Sequence, residues 1–251
     1  MYYYIFQSVG AKNVKKLYEK IKLRISLSGI SGEIVQTTPL RTIEEMTELG
    51  ITKGYHTIVA VGTDEFINKV AHFLINLSLA QNRDKIVFGA IPLNYQDSLM
   101  AQLLNVSTVD EAIENLKNRH LRKIDVAFIE PNKFFILPIE ISKNKPFFTM
   151  ITTKNYCAKS LVDKVKITPS LKLMLKDIGI GNGFLSKVVS FFKIERPQNH
   201  YSTRFSSKTF SIESNELIPV KIGEEVLAKT PVRLHTIPKL LHLIMPRVRI
   251  N

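Results

Sequence analysis

Gly62, Thr63 and Asp64 close an apolar, β-branched run, Ile58-Val59-Ala60-Val61, and are followed by apolar residues at helical spacing: Phe66, Ile67, Val70, Phe73, Leu74 and Leu77. This pattern predicts a strand, a tight turn and a helix. Thr63 or Asp64 is the candidate helix cap, because the first backbone N–H groups of a helix lack partners within it. The same unpaired N–H groups, with the positive end of the helix dipole, favour an anion such as a phosphate. Each residue also has a structural role open to it. Gly62 can serve the turn, Asp64 can be a cap, and Asn68, one turn into the helix, can be a satisfied surface amide.

Other reactive side chains show less organisation. The six histidines, at 56, 72, 120, 200, 235 and 242, have no metal-ligand spacing, and His72 on the predicted helix reads as structural. The single Cys157 excludes an internal disulfide, has no feature of a nucleophile and fits a reducing cytoplasm.

The elements that must hold the turn can be read from patterning. The 251 residues, 45% of them hydrophobic, suffice for one large or two modest domains. No apolar run is long enough to span a bilayer. The opening Met1-Tyr2-Tyr3-Tyr4-Ile5-Phe6 reads as a first strand and not as a signal peptide. Helices are predicted over 13–27 (Val14, Leu17, Tyr18, Ile21 and Ile25 on one face) and over 41–50, with Ile43, Met46 and Leu49 inward. Two short helices follow at 97–104 and 108–117, the second capped by Ser107 or Thr108. Strands are predicted at 2–7, 33–35, 55–62 and 85–92, so residues 1–122 form an α/β domain with a mainly parallel sheet.

Residues 123–251 form a β-rich, sandwich-like second domain, whose last residues can return to the first. Residues 124–129 and 133–139 flank Glu130-Pro131-Asn132 as a hairpin, and further strands are predicted at 146–153, 208–213, 218–222, 231–236 and 240–245. A helical insertion is expected over 169–196: two short helices around Gly179-Ile180-Gly181-Asn182-Gly183. The second, with Phe184, Leu185, Val188, Val189, Phe191 and Phe192 rimmed by Lys187 and Lys193, packs on the sheet or lies on an anionic membrane.

Charge divides the chain in the same way. The net charge is +13, but residues 1–139 hold 16 Lys and Arg against 14 Asp and Glu, whereas residues 140–251 hold 19 against 8. A basic second half suggests an anionic partner, or a basic surface that is merely solvated.

This layout resembles the catalytic domain of diacylglycerol kinases and bacterial lipid kinases, which shares its fold with NAD kinases. Three places carry the likeness. Gly62-Thr63-Asp64-Glu65-Phe66-Ile67-Asn68-Lys69-Val70 lies over the family's GGDGTLNEV without a gap. Gly89-Ala90-Ile91-Pro92-Leu93-Asn94-Tyr95-Gln96-Asp97 has the spacing of GIIPLGTGN. Ile222-Gly223-Glu224, then Thr230-Pro231-Val232 and Leu243-Ile244-Met245-Pro246, follows the family's DGE turn and its later strands.

The resemblance implies a nucleotide-binding α/β domain, a β-sandwich domain and an active site in the cleft between them. The implied activity is ATP-dependent phosphorylation of a lipid hydroxyl with magnesium. It assigns Gly62, Thr63, Asp64, Asn68, Asn94 and Gln96 to the nucleotide, and Glu224 and Asp64 to catalysis. Several positions depart from the pattern. Thr63 and Glu65 replace glycines, Phe66 replaces a small hydroxyl residue, both glycines of the second loop are gone, and Ile222 stands for the Asp of DGE. Gln7-Ser8-Val9-Gly10 stands where the family has its first-strand signature. Glycines let a backbone approach phosphate closely, and Glu65 sets an anion where an anion would bind. The expectation is therefore a divergent member with weakened or absent catalysis, or a non-catalytic lipid- or membrane-binding protein on the same fold. Its expected partner is anionic membrane lipid or a lipid substrate. No nucleic-acid recognition motif is present, a homodimer is left open, and the expected location is cytoplasmic or peripheral at a membrane.

Overall fold

The structure, a computed structural model, describes residues 1–8, 12–80, 86–177 and 202–247. Two compact units emerge: Met1–Val126 with Phe134–Leu137 and Ile237–Asn251, and Ala127–Lys133 with Pro138–Thr236.

The first unit runs β1 (Tyr2–Phe6), α1 (Lys12–Leu27), β2 (Gly32–Gln36), α2 (Ile43–Thr52), β3 (Thr57–Gly62), α3 (Asp64–Ala80), β4 (Val87–Pro92), α4 (Leu99–Leu104) and α5 (Val109–Asn118). Its strands lie in the order β2-β1-β3-β4 and all pair in parallel. β1, β3 and β4 are buried at every residue, as expected of parallel strands covered on both faces. That is why they read as continuous apolar runs without alternation.

Helix α2 is turned from its predicted orientation. Its buried residues are Met46, Thr47, Gly50 and Ile51, while Leu49 is exposed. Gly50 is the reason: a Cβ there would stand 2.6 Å from the Tyr3 ring, so the bare backbone seats that ring. Thr42 and Glu45 form a reciprocal capping box at its start.

β5 (Leu121–Ile129) leads to β6 (Lys133–Phe135), with which it pairs. The predicted strand 133–139 is broken: Ile136–Pro138 leaves the ladder and β7 (Ile139–Thr152) starts afresh. The second unit continues with β8 (Cys157–Ile167), β9 (Lys172–Asp177), β10 (Ser202–Ser206), β11 (Thr209–Ser214), β12 (Pro219–Ile222) and β13 (Glu225–Lys229). The two strands predicted at 231–236 and 240–245 are one, β14 (Val232–Ile244). Its first residues pair antiparallel with β11, and its last pair in parallel with β4 in the first unit's sheet.

In the second unit the order is β10-β9-β8-β7-β11-β14, antiparallel throughout, with β12 against β13 and β7. Its core holds Ile139, Ile141, Phe147, Ile151, Val162, Val165, Ile167, Leu173 and Leu175. The fold is thus an α/β unit with a parallel sheet and a β-rich unit. One correction falls within the predicted helical insertion. Leu173, Met174 and Leu175 lie on strand β9, with Leu173 and Leu175 buried, Met174 half-buried between them, and Lys172 and Lys176 exposed. The alternation has period two, which helix cannot satisfy. The rest of that segment, including Phe184–Lys193, lies outside the described residues.

Candidate functional site at the β3–α3 turn

The turn forms where expected. β3 ends at Gly62 and α3 begins at Asp64, with Ile67 N–H donating to the Thr63 carbonyl at 2.9 Å. The Thr63 hydroxyl accepts from Phe66 N–H at 3.5 Å, a long cap bond.

The space around Gly62 is occupied by the chain itself. A Cβ on Gly62 would stand 2.5 Å from Phe66 Cδ1 and 2.8 Å from Gln7 Oε1. The Phe66 ring is buried, 4% exposed, and packs on the glycine. Gln7 Oε1 accepts the Thr63 backbone N–H at 2.8 Å. Gln7 is fixed from three directions, because its own N–H donates to the Val61 carbonyl at 2.9 Å and its carbonyl accepts the Tyr18 hydroxyl at 2.7 Å. A phosphate oxygen seeking the Thr63 N–H would have to displace Gln7. Sequence reading gave Gln7 no role; its signal was an amide where the family has its own first-strand signature.

Asp64 is a clamp. Its carboxylate accepts from Ser98 Oγ at 2.6 Å, Leu99 N–H at 2.6 Å and Met100 N–H at 3.2 Å, holding the start of α4. Ser98 Oγ in turn accepts from Ala101 N–H at 3.0 Å. Three donors, two of them at charge-assisted distance, already saturate the near side of this carboxylate.

Asn68 is buried, 2% exposed, and not a surface amide. Its Oδ1 accepts from Ile136 N–H at 3.0 Å, and four residues further His72 Nδ1 accepts from Phe134 N–H at 3.1 Å. Spacing of four on a helix matches spacing of two on an extended chain closely enough to present two acceptors to alternate N–H groups. Ile136, outside the β-ladder, thus has its donor satisfied by the helix. Asp64, Asn68 and His72 thus form one row of acceptors along α3, each receiving backbone N–H groups of this same unit.

The remaining assigned residues are not part of that row. Asn94 and Gln96 are exposed, and Asn94 Oδ1 accepts from Gln96 N–H at 3.1 Å in a local turn. Tyr95, between them, turns its hydroxyl into the protein, where no protein partner meets it, and burial raises its pKa. Glu224 belongs to the second unit, at the β12–β13 turn made by Gly223 with φ 53°. Its side chain is 98% exposed and 3.9 Å from Lys221. Ile222, where the family has Asp, is buried at 1% exposure. Among the described residues no group of three His, Cys, Asp or Glu is arranged to hold a metal ion, and no helix is long and apolar enough to cross a membrane.

A family model, the diacylglycerol kinase catalytic domain, matches residues 5–129, which include the end of β1, the β3–α3 turn, α3 and the loop after β4. Over these residues the chain is a member of the diacylglycerol kinase catalytic-domain family. Among curated proteins none matches. A crystal structure of a diacylglycerol kinase from Bacillus anthracis str. Sterne aligns with TM-score 0.71 and 15% identity, over 98% of this chain and 96% of that one. A second structure from the same organism aligns with TM-score 0.73 and 14% identity over the same shares. At this identity the likeness is one of fold, and it extends over both units of the chain. Set on the diacylglycerol kinase frame, the family's Gly62, Asp64 and Asn68 are all retained and all engaged in holding this chain's own elements.

Proposed function

We propose that this chain is a lipid-kinase-like protein that has lost phosphoryl transfer and keeps the scaffold to bind an anionic lipid surface. The observation that carries this reading is the closed β3–α3 turn, with the Phe66 ring over Gly62 and Gln7 Oε1 on the Thr63 N–H. Phosphoryl transfer needs phosphates held by backbone donors, a metal ion and a base at the acceptor hydroxyl. The residues present do not fit ATP at this turn: the donor is taken, the space is filled, and Glu65 adds negative charge beside it. They do not fit magnesium at Asp64 either, since its oxygens already accept three hydrogen bonds. Glu224, in open solvent beside a lysine, lacks the enclosure that tunes a general base.

The basic second half supports the lipid-surface part of the reading, as does the absence of a nucleic-acid motif. Such a protein would sit at the membrane peripherally.

Thermal denaturation with and without Mg-ATP tests the loss of catalysis. A ligand at a hundred times its dissociation constant stabilises a fold by about 2.7 kcal/mol, which a melting curve resolves easily. The expected result is an unchanged melting temperature. Stabilisation by Mg-ATP that disappears in Gly62→Val would overturn the reading and restore an active kinase.

A further inference from the structure

We infer that the outer face of strands β8, β9 and β10, with the neighbouring part of β7, is the surface that meets the anionic membrane. This rests on the lipid-surface part of the reading above and not on its account of the nucleotide turn.

Register places the charges. Lys164 on β8 lies directly opposite Lys176 on β9, and Lys166 lies opposite Met174, which is itself opposite Arg204 on β10. Lys172 shares the β9 face with Met174 and Lys176, two residues apart each time. The intervening residues Val165, Ile167, Leu173 and Leu175 are buried, so all five cations project from the opposite face. Lys159, on the same strand as Lys164, is also exposed. Two acidic groups border these cations. Glu140 is taken, its Oε1 accepting from Ser142 at 2.7 Å and pairing with Lys164 at 2.9 Å, and exposed Glu213 on β11 lies across Met150 from Lys159.

Like charges directly opposite each other destabilise a sheet. Glu140 relieves this for Lys164, so Lys166, Lys172, Lys176 and Arg204 are the cations this face offers a polyanion. The same face also carries an apolar pair. Phe148 on β7 lies opposite Leu161 on β8, and they are 61% and 39% exposed. Exposed apolar side chains beside several lysines suit a lipid interface, where apolar groups enter the acyl boundary and lysines meet phosphate headgroups. Single-stranded nucleic acid would reward exposed aromatic rings for base stacking. On this face Phe148 stands exposed singly and the neighbouring Tyr156 is already stacked on Phe205 at 5.5 Å, so the described residues do not line up rings for successive bases.

Co-sedimentation of the full chain with phosphatidylcholine vesicles, with and without phosphatidylglycerol, tests this. Wild type is expected to bind only the anionic vesicles, and less as salt rises. Each lysine near the surface strengthens partitioning about fivefold, so Lys166→Gln with Lys172→Gln and Lys176→Gln is expected to weaken binding on the order of a hundredfold. Phe148→Ser is expected to weaken it further. Folding is checked independently: the triple variant, whose changes are all on the surface, is expected to keep the wild-type melting temperature while losing vesicle binding.

If wild type ignores anionic vesicles at low salt, the lipid-surface reading falls and this inference with it. If wild type binds and the triple variant binds equally well, the lipid reading stands and the assignment to this face is wrong. Tighter binding to a DNA or RNA oligonucleotide than to anionic vesicles, lost in the same variant, would also overturn it.

Discussion

Gln7 Oε1 accepts the Thr63 backbone N–H at 2.8 Å, with the Phe66 ring beside it over Gly62. A side-chain carbonyl thus takes the donor that a phosphate oxygen would take. In an open phosphate turn, a methyl group on the glycine blocks ligand and leaves the free protein unaffected. Here Gly62→Ala forces a Cβ against Phe66 and Gln7, and it is expected to destabilise the free protein by about 1–3 kcal/mol. Phe66→Ala alone should cost about 3–5 kcal/mol. In urea unfolding the double variant is expected to lose less than the sum, because the smaller side chain makes room for the methyl. Simple additivity would mean that Phe66 is not what closes the turn.

Asp64 holds α4 through Ser98 and the two following N–H groups. Hydrogen bonds to a charged group contribute about 1.5–3 kcal/mol each before coupling, so Asp64→Ala is expected to destabilise by at least about 2 kcal/mol. Ser98→Ala, which removes a cap, should cost about 1 kcal/mol. Asp64→Asn retains one acceptor oxygen and should fall between them. Chemical denaturation of the three variants gives the ranking. A stable Asp64→Ala protein would show that the carboxylate is held in place for some other purpose.

The row Asn68 and His72 makes a local prediction. Removing either acceptor leaves a backbone donor of the Phe134–Leu137 segment unpaired. For the Ile136 amide, bonded to a residue 2% exposed, that costs about 1–3 kcal/mol. Hydrogen exchange should localise the effect: Asn68→Ala is expected to speed exchange at Ile136, and His72→Ala at Phe134. Amides of β3 should keep their protection. Uniform acceleration across the first unit would instead indicate a general loss of stability.

The first unit was largely legible in the sequence because its signals are strong and local. β1, β3 and β4 are unbroken apolar runs, and Thr108 was one of the two caps read for α5, whereas the caps at Thr42 and Ser98 emerge only in the structure. The orientation of α2 was not legible, since it depends on Gly50 meeting the Tyr3 ring from another element. β8 was missed for a physical reason. Its register against β9 shifts between Val162 and Lys164, so the buried residues Val162, Val165 and Ile167 do not alternate cleanly. In β9 the cluster of Leu173, Met174 and Leu175 resembles a helical face until Lys172 and Lys176 are seen to continue the period of two. At the site, Gly62, Asp64 and Asn68 could be located by spacing. Their occupancy could not, because Gln7, Ser98, Phe134 and Ile136 reach them from distant parts of the chain.

The buried tyrosines predict how the first unit responds to alkali. Burial pushes the Tyr3 phenol up to about 12, with the nearby Glu33 and Tyr55 adding to the effect and Arg41 opposing it. Burial pushes Tyr18 up to about 12 as well. A phenol in the unfolded chain titrates near 10. The folded state therefore holds these protons more tightly. Their contribution to stability is complete below about pH 10 and is lost as pH rises through about 12. The unfolding free energy is expected to be flat with respect to these groups up to about pH 10 and then to fall. Tyr3→Phe separates the causes. The Tyr3 hydroxyl is buried with no hydrogen-bond partner, so its removal relieves an unsatisfied polar group and should stabilise the protein by about 1 kcal/mol at neutral pH. It should also delay the alkaline transition, because one group that must ionise is gone. Tyr18→Phe should behave oppositely at neutral pH, losing the bond to the Gln7 carbonyl and with it part of the hold on the closed turn. A Tyr3→Phe variant less stable than wild type at neutral pH would show that the hydroxyl has a partner after all, and a curve flat through pH 12 would remove the tyrosines as its cause.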